Sequence, residues 1–121
     1  MERGKRYEEY VNKFIRGNIV STYQDYYDIE TKTTIYEVKG VKIYHEKSFG
    51  RYKINLENHN NLLIKSQELK KIPKYIFVLK IDTRMIWKSF SWEAVNSYLK
   101  NAKIHKCRDK EVANVSVREI W

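Results

Sequence analysis

The sequence predicts an α/β fold, a single domain in which a mixed central β-sheet is flanked by helices. Segments with the apolar spacing of helices alternate along the chain with segments rich in Val, Ile, Tyr and Thr. The most apolar run, residues 75–81, has the composition of a central strand that is covered on both faces. The chain of 121 residues has the length of one domain, so residues 1–121 are assigned to one.

The first helix is predicted from an apolar stripe with the spacing i, i+3, i+4, i+7 and i+8, formed by Tyr7, Tyr10, Val11, Phe14 and Ile15. Gly17 follows the stripe and is expected to form the C-cap. Glu8 lies at the edge of the stripe on a helical wheel, and Glu9 lies near the opposite face. Glu8 is therefore expected beside the core, within reach of a site, and Glu9 is expected to be solvated.

Residues 19–30 and 34–44 are predicted to form two strands joined by a tight turn around residues 31–34. A third extended segment, residues 51–54, follows Gly50. A helix is predicted over residues 56–70, with Asn55 as its N-cap, and it ends before Pro73.

The second half of the chain begins with the apolar strand over residues 75–81. Ser91 can cap a helix over residues 92–102. Residues 112–120 alternate weakly and are expected to form a terminal strand. The predicted order of elements is α-β-β-β-α-β-α.

The chain is strongly basic, with a net charge of +9 and a pI near 9.6. Such an excess predicts attraction to polyanions, and to nucleic acid above all. The basic residues are spread along the chain and form no tail, which favours a binding surface over a charged extension. The alternative is that the charge serves solubility alone.

Several classes of protein are disfavoured by composition. No apolar run approaches the ~20 residues that a membrane span needs, and no apolar leader follows the charged N-terminus. The single cysteine, Cys107, excludes an internal disulfide, so a cytoplasmic, intracellular location is expected. Neither a zinc-ligand spacing nor a glycine-rich phosphate loop is present.

The candidate chemistry lies on the second predicted strand and in the segment before it. Glu37 and Lys39 share one face of a strand, because side chains alternate. If the turn is centred between residues 32 and 33, Asp28 lies directly opposite Glu37, with Cβ atoms ~4.5–5.5 Å apart. Two carboxylates at that distance repel, and a divalent metal between them would relieve the repulsion. Asp25 is the alternative first acid, but it falls on the other face from Asp28.

These residue types suit phosphodiester hydrolysis. Mg²⁺ prefers carboxylate and water oxygens, and it can lower the pKa of a bound water. Lys39 could orient that water or stabilise developing negative charge. The competing interpretation is an exposed Glu37–Lys39 salt bridge, which would contribute little to stability. Apolar neighbours on both sides, Ile35 and Val41 among them, make this strand too apolar for a solvated edge and favour the functional interpretation.

The run Asp28-x8-Glu37-Val38-Lys39 resembles the signature of the PD-(D/E)XK nucleases, with Tyr27 at the position of the usual proline. Residues 4–11 are similar to the N-terminal helix of archaeal Holliday-junction resolvases, a branch of that superfamily that also has viral resolvase-like members. In that branch a helix glutamate joins the metal site, and Glu8 is the matching position. The resemblance covers about residues 4–82.

The resemblance implies a restriction-endonuclease-like fold and a metal-dependent DNA endonuclease, with branched DNA or a Holliday junction as a possible substrate. It implies the catalytic residues Asp28, Glu37, Lys39 and Glu8. The implied metal site comprises Asp28, Glu37, Glu8 and Val38, with Mg²⁺ as the cofactor and Mn²⁺ able to substitute.

Candidate contacts to nucleic acid flank this centre: Lys42, Lys47, Arg51, Lys53 and His59. The alternatives are a solvated basic edge and, for His59, a solvated or capping residue. A C-terminal basic cluster is expected to extend the footprint and comprises Lys100, Lys103, His105, Lys106, Arg108 and Lys110.

A symmetric homodimer is expected, because one centre cuts one strand and a twofold dimer places two centres on one substrate. Trp87, Phe90, Trp92 and the terminal segment 112–121, taken as an unpaired strand, offer material for an interface, or else complete the monomer core. Two other functions compete with an endonuclease: a non-catalytic domain that binds nucleic acid, and a protein–protein module.

Overall fold

Two sheets and four helices make up the structure, a computed structural model that describes residues 3–20, 26–43 and 50–121. Along the chain the elements are α1 (Arg3–Ile15), β1 (Asn18–Ile19), β2 (Ile29–Glu30), β3 (Thr34–Ile43), β4 (Arg51–Asn55), α2 (Leu56–Leu69), β5 (Ile72–Ile81), β6 (Arg84–Ser91), α3 (Trp92–Lys100), β7 (Lys103–Cys107), β8 (Lys110–Ser116) and α4 (Val117–Ile120). The chain is thus a mixed α/β domain, as the sequence predicts.

The main sheet has the strand order β1-β2-β3-β5-β6. Its centre is the parallel pair β3 and β5, which runs in unbroken register from Thr34 opposite Ile72 to Ile43 opposite Ile81. The other pairs in this sheet are antiparallel, so the sheet is mixed. A parallel pair needs a crossover connection, and β4 and α2 provide it.

Each face of the main sheet has its own apolar cluster. Helix α1 covers one face, where Tyr7 and Val11 pack on a set that includes Ile29, Val38, Ile76 and Val78. The opposite face is covered by α2, α3 and the second sheet, whose strand order is β4-β8-β7. In the larger cluster on this face lie Ile35, Tyr52, Leu62, Phe77, Val95 and Val115. The prediction of a central strand covered on both faces is confirmed for β5, since residues 75–79 are all buried.

The end of α1 differs from the predicted C-cap. The residue in the left-handed conformation is Arg16, with φ of 58°, and Gly17 does not have positive φ. The Asn12 side chain closes the turn: its Oδ1 accepts from Gly17 N at 2.9 Å and its Nδ2 donates to Gly17 O at 3.0 Å. Gly17 is needed for close approach instead, because a Cβ atom there would lie 2.7 Å from the carbonyl oxygen of Glu30.

The predicted strand over residues 19–30 is wrong as a single strand. The chain folds back on itself, so that Asn18 pairs with Glu30 and Ile19 pairs with Ile29. Two short strands therefore form where sequence composition predicts one long strand, and residues 21–25 lie outside the described residues.

The turn between β2 and β3 is built by threonine. The Thr31 hydroxyl accepts from Thr34 N at 3.0 Å and from Thr33 N at 3.3 Å. Lys71, just after α2, donates to the Glu30 carboxylate and, at 2.7 Å, to Thr31 O. These bonds replace the Asn-Gly signature that the sequence lacks, and they tie the turn to the far end of α2.

The two predicted N-caps are confirmed. Asn55 Oδ1 accepts from Glu57 N at 2.9 Å and from Asn58 N at 3.2 Å, and Ser91 Oγ accepts from Ala94 N at 3.1 Å. The strands β6 and β7 were not predicted. The predicted terminal strand over 112–120 is partly wrong, because β8 ends at Ser116 and a helical turn, α4, follows.

The status of β8 as an unpaired terminal strand is also contradicted. It is the middle strand of the second sheet, paired with β4 on one side and β7 on the other. It therefore offers no free edge to a second copy of the chain. Among the described residues, no helix is both long and apolar enough to span a membrane.

The absence of a side chain at Gly40 lets α1 pack closely against the main sheet, and the first prediction follows from this contact. A Cβ atom at this position would overlap the ring of Tyr7. Gly40→Ala should therefore lower the free energy of unfolding by about 1–3 kcal/mol, the range for overpacking a core. Urea unfolding followed by circular dichroism measures the change.

A double-mutant cycle provides the control. In a Tyr7→Ala background the Gly40→Ala substitution should cost less, because the ring that it would strike is gone. An equal cost in both backgrounds would mean that the contact with Tyr7 is not the reason for the glycine.

Candidate active site

Glu37 and Lys39 lie on the face of β3 that packs against the larger apolar cluster. This side alternates Ile35, Glu37, Lys39, Val41 and Ile43, and Ile35 and Ile43 are buried in the larger cluster. Glu37 and Lys39 are both half-buried. The alternative of a solvated salt bridge on an exposed edge does not describe this position.

Asp28 reaches this centre from the end of β2. The predicted register is confirmed for the two residues after it, since Ile29 lies opposite Tyr36 and Glu30 opposite Ile35. Asp28 itself leaves the ladder: its N–H donates to Tyr36 O at 2.7 Å, so two residues face one, as in a β-bulge. Its carboxylate then accepts from Val38 N at 2.8 Å. The acid is thus beside Glu37, but it is not the directly opposed strand partner that was predicted.

The pKa of the Glu37 carboxyl group is strongly perturbed by its surroundings. Burial raises its pKa well above 4.5, Lys39 opposes that shift, and a hydrogen bond and charge repulsion from Asp28 reinforce it. The two acids are therefore close in space, and a positive charge between them would offset their repulsion.

Glu8 contributes from the opposite side of the sheet. It lies on α1, which covers the face of Val38 and Gly40, and it is half-buried while Glu9 is exposed, as the helical wheel predicts. Its charge raises the pKa of Glu37, as the smallest of the contributions. Glu8 is therefore near the centre, but α1 and Glu37 stand on different faces of β3.

The donor set suits a hard divalent cation. Carboxylate oxygens are the ligands that Mg²⁺ prefers, and it keeps several waters. The N–H of Val38 points towards Asp28, and the C=O of the same strand residue points to the same edge. Within the described ranges no group of three or more Asp, Glu, His or Cys side chains is arranged to enclose a metal. Asp28 and Glu37 would supply two carboxylates to such a cation and would leave its remaining coordination positions to other ligands.

Tyr75 borders the centre and was not predicted as part of it. It lies opposite Glu37 in the parallel register, on the same face, and burial together with the Glu37 charge raises the pKa of its hydroxyl. This hydroxyl lies 2.7 Å from His59 Nδ1. Only the register of β3 against β5 identifies Tyr75 as a neighbour of Glu37, and composition does not reveal strand register.

The assignment of His59 as a nucleic-acid contact is contradicted. Its side chain is only 2% exposed and stacks on Trp92 with the ring centroids 4.3 Å apart. Its Nε2 lies 3.1 Å from Asn96 Oδ1, an acceptor, so Nε2 carries the proton and Nδ1 accepts from Tyr75. Burial lowers the pKa of His59, which favours this neutral form. His59 is a core residue that joins α2, α3 and β5.

The predicted basic contacts are exposed where the structure describes them. Lys42, Arg51 and Lys53 are all at the surface, and Lys47 and the alternative acid Asp25 lie outside the described residues. Sequence reasoning missed that Lys42 lies opposite Lys80 in the parallel register. With Arg6 of α1, these two lysines line a small cavity of about 60 Å³.

Comparison with known proteins supports the fold. The structure is similar to that of Archaeoglobus fulgidus Hjc, a Holliday junction resolvase from an archaeal hyperthermophile. The TM-score is 0.59 at 12% sequence identity, and the match covers 97% of this chain and 86% of that one. No family model and no curated protein matches the sequence. The chain therefore has a nuclease-like fold, shown by structure and not by sequence relatedness.

The raised pKa of Glu37 generates the second prediction. A carboxyl group whose pKa is higher in the folded than in the unfolded chain gives stability that is present below the unfolded value, near 4.5, and is lost as pH rises through the folded value. In EDTA, the melting temperature of the protein should therefore fall across this window relative to that of Glu37→Gln, which stays neutral. Thermal melts followed by circular dichroism at several pH values measure the difference.

A difference between the two proteins that does not vary with pH would mean that Glu37 titrates normally. Adding Mg²⁺ provides the control, because a cation bound by the ionised carboxylate should reduce the difference at the upper end of the window.

Proposed function

We propose that the protein is a Mg²⁺-dependent DNA endonuclease that hydrolyses phosphodiester bonds in branched DNA. One observation carries the proposal: Glu37 is half-buried within hydrogen-bonding contact of Asp28, with Lys39 beside it on the same face of β3. Two acids in contact in a partly apolar setting are unfavourable for folding, and a divalent cation turns the same pair into a binding site. The nuclease-like fold supports this interpretation, and the resolvase title of the structural neighbour suggests branched DNA as the substrate.

The chain's own residues have distinct roles in this proposal. Asp28 and Glu37, with the carbonyl of Val38, hold the metal, and Mn²⁺ can take the place of Mg²⁺. The bound cation polarises the scissile phosphate and lowers the pKa of a water ligand. The hydrogen bond from Val38 N fixes the Asp28 carboxylate, and Lys39 orients the attacking water or stabilises the charge that develops on the phosphate. Glu8 adds negative charge from α1.

The basic surface serves substrate binding. A net charge of +9 attracts DNA, and Lys42, Arg51 and Lys53 are exposed on the strands that flank the centre. Lys47 is proposed as a further contact to the DNA. Contacts of this kind position the backbone and do not read sequence. The alternative of a non-catalytic domain that binds nucleic acid makes the same contacts, and the cleavage assay separates the two.

The third prediction concerns the acids. Asp28→Asn or Glu37→Gln should reduce Mg²⁺-dependent cleavage of plasmid and four-way-junction DNA by about 10³-fold or more, equivalent to about 4 kcal/mol of transition-state stabilisation. Binding of DNA should stay at the wild-type level or tighten, because negative charge near the phosphates is removed. Lys39→Ala should slow the chemical step by about 10²–10³-fold with metal binding retained. Cleavage gels and fluorescence anisotropy measure the two properties.

Adjacent glutamates on α1 provide a matched control. Glu8→Gln should weaken activity at limiting Mg²⁺, whereas Glu9→Gln, one residue away and exposed, should have no effect. Circular dichroism must show that each variant is folded. Normal cleavage by Asp28→Asn or Glu37→Gln would rule out the assigned centre, and binding without cleavage by the wild type would favour the non-catalytic alternative.

We also propose that the protein acts as a symmetric homodimer, because cutting two strands in one binding event needs two centres. The aromatic residues expected at an interface largely serve the monomer: Phe90, Trp92 and Trp121 pack on the larger cluster, and Trp87 on the smaller. A different apolar surface supports dimerisation. Leu79, Ile81 and Ile86, together with Arg84, line a largely apolar depression of about 170 Å³ near the β6 edge, where Ile86 is 44% exposed.

The fourth prediction follows from that surface. Light scattering at micromolar concentration should show a dimer, with or without DNA, and Ile86→Lys should shift it to a monomer by placing a charge in the interface. Ile64→Lys, at an exposed apolar position on α2, is the matched control. A wild-type monomer in both conditions that gives only nicked products would exclude the paired-centre mechanism and leave the catalytic centre intact.

A further inference from the structure

The second sheet, β4-β8-β7, has one face in the core and one face in solvent. Its inner face carries Tyr52, Ile54, Ala113 and Val115, all of them buried. Alternate residues on the same strands point outward. Of these, Arg51, Lys53, Lys103, His105 and Lys110 are exposed, so the outer face is a surface of the molecule.

The outer face carries charge of one sign. Its basic residues are Arg51 and Lys53 on β4, Lys103 on β7 and Lys110 on β8, with His105 among them. The other outward positions on the described strands are neutral: Asn55, Cys107, Val112, Asn114 and Ser116. Residues that are distant in sequence are brought together on this face. Lys53 lies opposite Asn114 on one side of β8, and Lys103 lies opposite Asn114 on the other side.

The acidic residues of the β7–β8 hairpin do not lie on the outer face. Glu111 lies opposite Lys106, on the other face of the β7–β8 hairpin, and Asp109 lies in the turn. Two lysines elsewhere in the described residues form ion pairs with acids, Lys71 with Glu30 and Lys65 with Glu68. Four cations on one sheet face repel one another, and a polyanion bound across the face would offset that repulsion.

The spacing of these cations suits a nucleic-acid backbone. Neighbours along one face of a strand, such as Arg51 and Lys53, are ~6.7 Å apart, and positions two strands apart, such as Lys53 and Lys103, are ~9.6 Å apart. The phosphates of one DNA strand advance ~3.4 Å along the helix axis per nucleotide. Because the strand also winds around the axis, neighbouring phosphates are farther apart in space than this rise, and cations at these separations can contact phosphates of one backbone. A flat sheet face presents no element to insert into a groove, so it contacts the backbone and not the bases.

The face begins beside the candidate active site. Gly50, which precedes β4, packs against Val41, because a Cβ atom added to Gly50 would overlap the Val41 side chain. Val41 is the next residue after Lys39 on the core-facing side of β3. Arg51 therefore lies at the end of the second sheet that contacts this part of β3, and Lys53 and Lys103, then Lys110, lie farther along the outer face.

We infer that the outer face of the β4-β8-β7 sheet binds the phosphate backbone of duplex nucleic acid and holds an arm of the substrate that extends from the cleavage site. This inference rests on the nucleic-acid partner of the proposed function, but not on cleavage. Recognition is independent of sequence. An acidic protein surface is the competing occupant.

Two matched double variants test it. Lys53→Gln/Lys103→Gln removes two charges from the face, and Lys13→Gln/Lys32→Gln removes two exposed charges from outside it. Binding to duplexes of two unrelated sequences is measured by fluorescence anisotropy in EDTA, which keeps the DNA intact, over a series of salt concentrations. Circular dichroism melts verify that both variants are folded.

The face variant should bind at least about tenfold more weakly than the control variant to both duplexes, and its slope of log K against log salt should be shallower by about 2. Equal losses in the two variants, or a loss for only one DNA sequence, would overturn the inference. So would a wild type that does not bind duplex DNA, the outcome expected if the face binds an acidic protein.

The Mg²⁺ cleavage assay separates this inference from the proposed function. If the wild type does not cleave but the face variant loses binding as expected, the catalytic proposal fails and the binding surface stands. If cleavage depends on Asp28 and Glu37 but the two variants bind alike, only the binding surface fails.

Discussion

The parallel pairing of β3 with β5 is the constraint on which the rest of the structure depends. Parallel strands cannot be joined by a tight turn, so the chain between them must cross over one face of the sheet. That crossover carries β4 and α2, and it leaves the other face to be covered by α1. The same register places Tyr75 beside Glu37 and Lys80 beside Lys42. The fold and the neighbours of the candidate centre thus follow from one set of backbone hydrogen bonds.

At Glu37 and Lys39, charged side chains stand in an otherwise apolar row of β3, which is unfavourable for the stability of the fold. Apolar side chains there would continue the row of Ile35, Val41 and Ile43, and would bury surface without the desolvation that a carboxylate suffers. Asp28 adds a second acid in contact with the first and raises the pKa of Glu37 further. Local conflicts of this kind, in an otherwise consistent structure, are typical of functional sites. A structural role would need only one of these charges, or none.

Sequence reasoning recovered the elements whose signals are local. The α1 stripe, the caps at Asn55 and Ser91, and β5 all depend on neighbours within a few residues. It failed where contacts between residues distant in sequence determine the local structure. Residues 19–30 have strand composition, but the chain folds back there so that β1 can pair with β2. His59 has a polar side chain at a helix start, and only the distant residues Tyr75, Trp92 and Asn96 explain why it is buried. The candidate centre could be proposed from sequence because Asp28, Glu37 and Lys39 are close in sequence.

The distribution of charge separates binding from chemistry. The acids that perturb one another are gathered around β3, where they repel a phosphate unless a cation stands between them. The excess of basic residues lies on exposed surfaces near that centre, including one face of the second sheet. On the proposed function, the basic surface would attract a polyanion as a whole, and a metal would be needed only at the carboxylates of the centre before a phosphate could approach. If the protein is the proposed nuclease, this separation of charge makes DNA binding without metal independent of hydrolysis with metal.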